Sequence, residues 1–334
     1  MSYFKEKLKI EGKIKKIKII AAAVLLVIVL ALAIFSGFVP PDTWKYYVAN
    51  PEIAKRHKGE MRLHFLDVGQ GDSTIIELPD GRIMLIDGGN SDAATEKRIM
   101  RYLNALKIKE IDYLLLTHAD SDHCGALDVV LKYTKVKRAF IPNVKPTVNK
   151  EYAEFYAQLQ KENCEVTLSS RSVILNGAGE YSYTLSFLYP YTLDVQENTE
   201  EDAENNQSSA VVWLDYQGTS ALFTGDAPKE TETILLRDDK LSLFAERGVQ
   251  LSSTEILKVA HHGSKYSTHL EFLQYLNVKT AVISSGKDNS YGHPTKEVLD
   301  RLQEVNSEIY RTDTAGNIMI TVFKDGNYQT KKVS

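Results

Sequence analysis

Apolar and polar positions alternate along most of this chain, but its start is different. From Ile19 to Val39 no charged residue occurs, and the run centres on Val24-Leu25-Leu26-Val27-Ile28-Val29-Leu30. A stretch of roughly twenty apolar residues spans a bilayer as a helix, and no polar face interrupts this one as a surface helix would require. Residues 19–39 are therefore expected to form a transmembrane helix. Residues 1–18 precede it as a basic segment, and a polar linker from Pro40-Pro41-Asp42 continues through residues 40–60.

From residue 61 to 334 the pattern is that of one folded domain. Leu63–Asp67 reads as a strand, and Thr74–Leu78 with Ile83–Asp87, joined through Pro79-Asp80-Gly81, reads as a hairpin. Helical and strand-like segments then alternate. Helices are expected around Thr95–Leu106, Gly125–Tyr133 and Tyr152–Glu162. Strands are expected at Tyr113–Thr117, near Ala139, and at Cys164–Leu168, Tyr183–Leu188, Ala210–Tyr216, Ser220–Thr224, Glu255–Ala260 and Thr280–Ser284. A last hairpin turns near Gly326. Such alternation favours α/β architecture, with sheets covered by helices. The acidic run Asp194–Asn206 is expected to be a solvated loop.

Charge adds an orientation. Lys5, Lys7, Lys9, Lys13, Lys15, Lys16 and Lys18 face only Glu6 and Glu11 ahead of the apolar run, and such lysine excess marks the cytoplasmic flank. The domain should then lie outside the cell, anchored by a single span. The competing expectation is a secreted protein, with Ala31-Leu32-Ala33 as a signal cleavage site. A formal charge of -4 gives no global attraction to nucleic acid, so a polyanion would have to be held by local charge or by metal. With only two cysteines, Cys124 and Cys164, any metal must be held by histidine and carboxylate.

Those ligand types are concentrated in Thr117-His118-Ala119-Asp120-Ser121-Asp122-His123-Cys124-Gly125, where a buried strand gives way to a helix. Imidazole and carboxylate at this density suit zinc, manganese or iron(II), and one short loop of this kind can serve two adjacent ions. Helix capping by Asp120 or Ser121 explains one polar side chain but not two histidines and a second aspartate. Further along, Leu222-Phe223-Thr224-Gly225-Asp226 ends a strand in a carboxylate, and Val259-Ala260-His261-His262-Gly263-Ser264 ends another in paired imidazoles.

Taken with Leu66-Asp67-Val68-Gly69-Gln70-Gly71-Asp72-Ser73, Ile86-Asp87-Gly88-Gly89, Tyr291-Gly292-His293-Pro294 and Arg311-Thr312-Asp313, these segments give the chain a family likeness. From about Met61 to Val322 it resembles the metallo-β-lactamase superfamily, and within it the hydrolase domain of ComEC-type competence (DNA uptake) proteins. The resemblance implies an αββα sandwich and two divalent metal ions, zinc or manganese. It implies that His118 and Asp120 face one ion, that Asp122 and His123 face the other, and that Asp226 bridges them. One of His261 and His262 completes the second site, and strand alternation does not decide which, since an internal sheet can be apolar on both faces. Asp122 and His293 are the expected catalytic residues, His293 and the unliganded member of the histidine pair serving proton transfer or transition-state contact. Ser264, Lys265 and Tyr291 are expected at the substrate.

Two departures from the superfamily's usual pattern shape the expectation. Asp120 stands where many members have histidine, and Asn205-Asn206-Gln207-Ser208 stands where a further histidine usually precedes the bridging aspartate. The first site is thereby oxygen-rich, which shifts the preference towards manganese. The expected function is metal-dependent hydrolysis of a phosphodiester, with DNA as the leading substrate and no obligate protein partner evident. The alternatives are a surface phosphodiesterase acting on wall polymers or phosphorylcholine esters, whose metal loop is similar, and a non-catalytic binding module.

Overall fold

The computed structural model describes residues 2–38, 41–191 and 206–333. The chain divides into two units, Met1–Ala49 and Asn50–Ser334. In the first, a helix covers Ser2–Phe38, and its segment Gly12–Gly37, whose most apolar 18 residues have a mean hydropathy of 3.2, is long and apolar enough to cross a membrane. Val39 lies outside the described residues. So does the expected acidic loop, except for its last residue, Asn206.

Strands of the second unit follow one another across two sheets nearly in chain order. The first sheet is built from β1 (Met61–Phe65), β2 (Thr74–Glu77), β3 (Ile83–Ile86), β4 (Glu110–Leu115), β5 (Lys135–Ile141) and β6 (Glu165–Leu168). The second is built from β7 (Ile174–Asn176), β8 (Tyr183–Tyr189), β9 (Val211–Tyr216), β10 (Thr219–Phe223), β11 (Thr254–Lys258), β12 (Thr280–Ile283) and β13 (Glu308–Arg311). A closing hairpin, β14 (Asn317–Val322) and β15 (Tyr328–Val333), returns to the first sheet. There β14 lies antiparallel to β1, with Met61 opposite Val322 and Phe65 opposite Ile318. On the far side of β14, Asn317 faces Val333. The short strands β7 and β13 lie at the two edges of the second sheet and were not expected from the alternation of apolar residues.

In β1 the period of two sorts the residues. Met61, Leu63 and Phe65 enter the core between the sheets, where they join Leu185, Phe187, Val212, Leu214, Phe223 and Ile256 of the second sheet. Arg62 and His64 face the other way. There His64 meets Tyr102 of the helix Ala93–Ala105 at 2.9 Å and Glu77 of β2 at 3.0 Å, so this helix covers the outer face of the first sheet. The second sheet is covered likewise: Trp213, Leu222, Leu257 and Ile283 pack with Leu235, Phe272, Val298 and Leu302 of the helices Lys229–Lys240, Leu270–Tyr275 and Lys296–Glu304. Helix, sheet, sheet and helix thus stack in the αββα order.

Each sheet is antiparallel at one end of its strand order and parallel at the other, with β3 to β6 parallel in the first and β10 to β13 parallel in the second. Ligand crevices in such sheets form beyond the carboxyl ends of parallel strands. Every metal-type segment of the sequence leaves one of these ends.

Candidate metal centre

Immediately after β3, Asp87 holds a left-handed backbone, φ 59°, and its carboxylate organises the loop that follows β4. One oxygen accepts the Thr117 amide at 2.8 Å, and the other accepts the Thr117 hydroxyl at 2.8 Å and lies 2.9 Å from His123 Nδ1. An acceptor at Nδ1 places the proton there and leaves Nε2 with a lone pair. His118 is oriented more weakly, its Nδ1 lying 3.1 Å from the Thr117 hydroxyl. The two rings end 4.1 Å apart.

Asp120 occupies the N-cap of the one-turn helix Ser121–Cys124, yet its side chain makes no capping bond. Its carboxylate lies 3.5 Å from His118 Nε2 instead. Capping therefore does not account for this residue. Cys124 is buried, with Sγ directed at the Ala119 carbonyl. Burial pushes its thiol well up, which makes it a packing group and not a nucleophile.

From the second sheet, Asp226 follows β10 and reaches into the same space. Its Oδ1 is 3.2 Å from His123 Nε2, while its Oδ2 is 3.5 Å from His262 Nε2, 3.7 Å from His261 Nε2 and 4.0 Å from His118 Nε2. His262 Nε2 is also 3.2 Å from Asp122. After β11 the chain turns sharply, and both His261 and His262 take left-handed φ, 50° and 53°. Two such residues in succession are strained, a cost tolerated where function over-determines the backbone. The turn separates the pair. His262 is buried with Nδ1 held 3.0 Å from the Ser284 carbonyl, whereas His261 is part-exposed at the rim of the cleft.

Despite these approaches, the buried atoms His118 Nε2, His123 Nε2, His262 Nε2 and Asp226 Oδ1 make no hydrogen bond among the described residues. Buried polar atoms are rarely left so, and here they face one another. His118, His123 and Asp226 bring ligand atoms within 4.8 Å of one another, as do Asp122, His123 and His262. This donor set, imidazole nitrogen and carboxylate oxygen, fits one or two divalent cations.

The electrostatics describe the same cluster. Burial disfavours every charge in it, but the carboxylates Asp226 and Asp72 outweigh burial at His262 and carry it up to about 10. At His123, Asp226 and Asp87 outweigh burial in the same way and raise the imidazole. Asp226 is held well below its ordinary range, since the imidazoles of His262, His123 and His261 outweigh its burial. His293 moves the other way, to about 4, through burial first and then the neighbouring His261 and His262.

A cleft of about 610 Å³ opens on the cluster. It is lined by Gln70, Lys145, Asn149, Asn206, Tyr291 and His293 beside the metal-type residues. Residues 66–287 match the sequence pattern of the metallo-beta-lactamase superfamily. The chain belongs to that superfamily. Among curated relatives, it is 34% identical over 274 residues to ComE operon protein 3 of Bacillus subtilis, covering 78% of this chain and 33% of the relative. It is 29% identical over 265 residues to Recombination protein 2 of Haemophilus influenzae, covering 78% and 29%. Competence protein ComA of Neisseria gonorrhoeae is 29% identical over 260 residues, covering 78% and 32%. The chain thus spans about a third of the length of these relatives. The expected likeness to ComEC-type competence proteins holds.

As a superfamily member, the chain brings His118, Asp120, Asp122, His123, Asp226 and His262 together at one point, with His261, His293 and Tyr291 at the cleft. It does not bring Ser264 and Lys265 there. The Ser264 amide closes the turn on the His261 carbonyl, and Lys265 extends its ammonium over the ring of Tyr266, 5.2 Å from the centroid, outside the cleft lining. Sequence adjacency to the histidine pair misleads because the turn at Gly263 carries the chain away. Lys145, Asn149 and Gln70 were missed as lining residues. Gln70 stands inside a quoted motif, but the loop that bears Lys145 and Asn149 has no distinguishing pattern.

Proposed function

We propose that this protein is a membrane-anchored, metal-dependent phosphodiesterase whose hydrolase domain lies outside the cytoplasm and whose substrate is nucleic acid. The observation that carries the reading is the convergence of unpartnered, buried His118, His123, His262 and Asp226 atoms on one space at the floor of an open cleft. Mostly, metallo-β-lactamase superfamily members are metal-dependent hydrolases. Names of the relatives refer to competence and recombination, which supports a nucleic-acid substrate. The lysine-rich flank ahead of the apolar helix supports the orientation.

In this reading Asp122, His123 and His262 would hold one cation, His118 and Asp120 would hold the other, and Asp226 would serve both. Asn206 adds a neutral oxygen to the first site: it is buried, lines the cleft, and its Oδ1 has no partner. Two cations so held would lower the pKa of water towards neutrality and neutralise charge on the phosphoryl oxygens. The remaining chemistry belongs to side chains. His293, neutral near pH 7 and with an unpartnered Nδ1 among the described residues, is a base that could accept a proton in the cleft or contact the transition state, and His261 stands at the rim for the same role. Lys145 offers a positive charge to a flanking phosphate, and Tyr291 presents an exposed ring.

The test is hydrolysis by the purified full-length protein in detergent micelles. With manganese or zinc added after chelation, it is assayed on single-stranded DNA, double-stranded DNA and glycerophosphocholine in parallel. Cleavage of DNA that disappears with chelator is the expected result. Turnover of glycerophosphocholine alone would move the substrate to wall-type esters, and turnover of none would favour a binding module.

A further inference from the structure

A buried lysine at the end of an apolar strand is unexpected, and Lys258, the last residue of β11, is almost fully buried. Its ammonium is 2.7 Å from Asp72 Oδ2 and donates to the Val259 carbonyl at 2.9 Å. Asp72, also buried, lies between β1 and β2 in the other sheet, so the pair joins the two layers at the edge of the cluster. The backbone of Asp72 is fixed as well, its amide donating to the Asp122 carbonyl and its carbonyl accepting from the Gly89 amide. The free oxygen of its carboxylate, Oδ1, is 3.2 Å from His262 Nδ1.

Two roles are open to Asp72. Its carboxylate approaches Asp226 and His262 closely enough to share a cation with them. Against this, one oxygen is already taken by an ammonium, and a divalent cation bound there would face that positive charge at close range. His262 Nδ1 is hydrogen-bonded to the Ser284 carbonyl, and the other oxygen of Asp72 stands 3.2 Å from the same nitrogen without a hydrogen bond of its own among the described residues, so its negative charge adds to the carbonyl in favouring a proton there. His123 has a comparable partner in Asp87, but Asp87 is met by the neutral donors of Thr117, with no ammonium on it among the described residues.

Resting on the metal-dependent reading, we propose that Lys258 and Asp72 are positioning residues: Lys258 keeps Asp72 out of the ligand set, and Asp72 fixes His262 with its proton on Nδ1 and its Nε2 towards the metal. The consequence is sharp for Asp72→Asn. The asparagine oxygen would turn to the Lys258 ammonium, leaving its amide hydrogens to oppose the Nδ1 proton that the Ser284 carbonyl holds, which pushes the imidazole out of place or its proton to Nε2 and in either case weakens Nε2 as a ligand atom. Adding Lys258→Met removes the charge that dictates this orientation.

Manganese binding to the full-length protein in detergent, followed by electron paramagnetic resonance of free manganese, tests this without reference to activity. Wild type is expected to bind two cations. Asp72→Asn should bind the second about 10- to 100-fold more weakly, and the Asp72→Asn/Lys258→Met double variant should recover part of that loss, with melting temperatures recorded for each. Long-range nitrogen-15 spectra of the zinc-loaded wild type should show His262 protonated at Nδ1. Unchanged affinity in Asp72→Asn, or loss of one cation in Asp72→Asn that the second substitution does not restore, would overturn the proposal. A wild type that binds no cation would instead overturn the metal-dependent reading itself, and the proposal with it.

Discussion

A Cβ atom on Gly71 would lie 2.4 Å from the carbonyl oxygen of Asp122. The loop ahead of β2 is therefore pressed against the main chain of the metal loop, at a φ of 128° that only glycine adopts without strain. Gly71→Ala must move one of the two. It is expected to destabilise the domain by more than about 1 kcal/mol and to weaken manganese binding with it. Thermal melts with and without manganese check both effects; a variant with unchanged melting temperature would mean that the contact yields freely.

Asp226 faces four imidazoles from the space between two proposed cations. Removing it takes away the charge that lets two divalent ions approach each other. Asp226→Ala is expected to lower hydrolysis by orders of magnitude and to reduce bound metal below two per chain, both measured on the same preparation. Equal turnover in wild type and variant would place the activity elsewhere.

Metal should also stabilise the fold, since the ligands come from both sheets and the unfolded chain does not assemble them. At free manganese a hundredfold above Kd, a bound cation adds about 2.7 kcal/mol. The melting temperature is expected to climb with manganese concentration and to fall on chelation. A flat response would contradict the assignment of His118, Asp122, His123 and His262 as ligands.

Asn206 belongs to the stretch Asn205-Asn206-Gln207-Ser208, where the resemblance leads one to expect a histidine, and it lines the cleft. Asn206→His is expected to tighten zinc at the first site relative to manganese, as nitrogen replaces oxygen in the ligand set. Competition between the two metals, read by metal analysis of the purified variant, gives the answer.

A pH effect is expected outside the cluster. Burial holds His64 below its ordinary 6.5 despite the pull of Glu77. The unfolded chain therefore takes up a proton at His64 as pH falls below 6.5, while the folded one does not until lower pH. By linkage, stability from this residue is present above 6.5 and is lost as pH falls towards the folded value. His64→Gln lacks this loss. The gap in melting temperature between wild type and variant should shrink as pH is lowered from 7, and a constant gap would exclude the effect.

Legibility in the sequence followed physical cause. Strands with apolar runs, the hairpin at Pro79-Asp80-Gly81 and the apolar N-terminal helix could be read because local pattern alone produces them. The edge strands β7 and β13 could not, being short and half-exposed, and pairing rather than pattern makes them strands. At the site, the ligand types and the loop positions were legible. The distinct settings of His261 and His262 were not, because two consecutive left-handed residues turn them apart, and no alternation rule covers that conformation. Lys258 likewise reads as an error in an apolar strand until Asp72 is seen across the sandwich.

The pairing of β1, β14 and β15 gives the domain two poles. The chain comes in at Met61, and one strand length on, roughly 13 Å at the usual rise per residue, Phe65 leads into the loop that bears Asp72. Asn317 accepts the Asp67 amide through its side chain and faces Val333 across the hairpin. The chain thus enters β1 at one pole, while the loop that bears Asp72 and the last strand's end share the other. A bulky passenger fused behind Val333 would crowd incoming substrate, whereas one spliced ahead of Met61 would leave the approach clear.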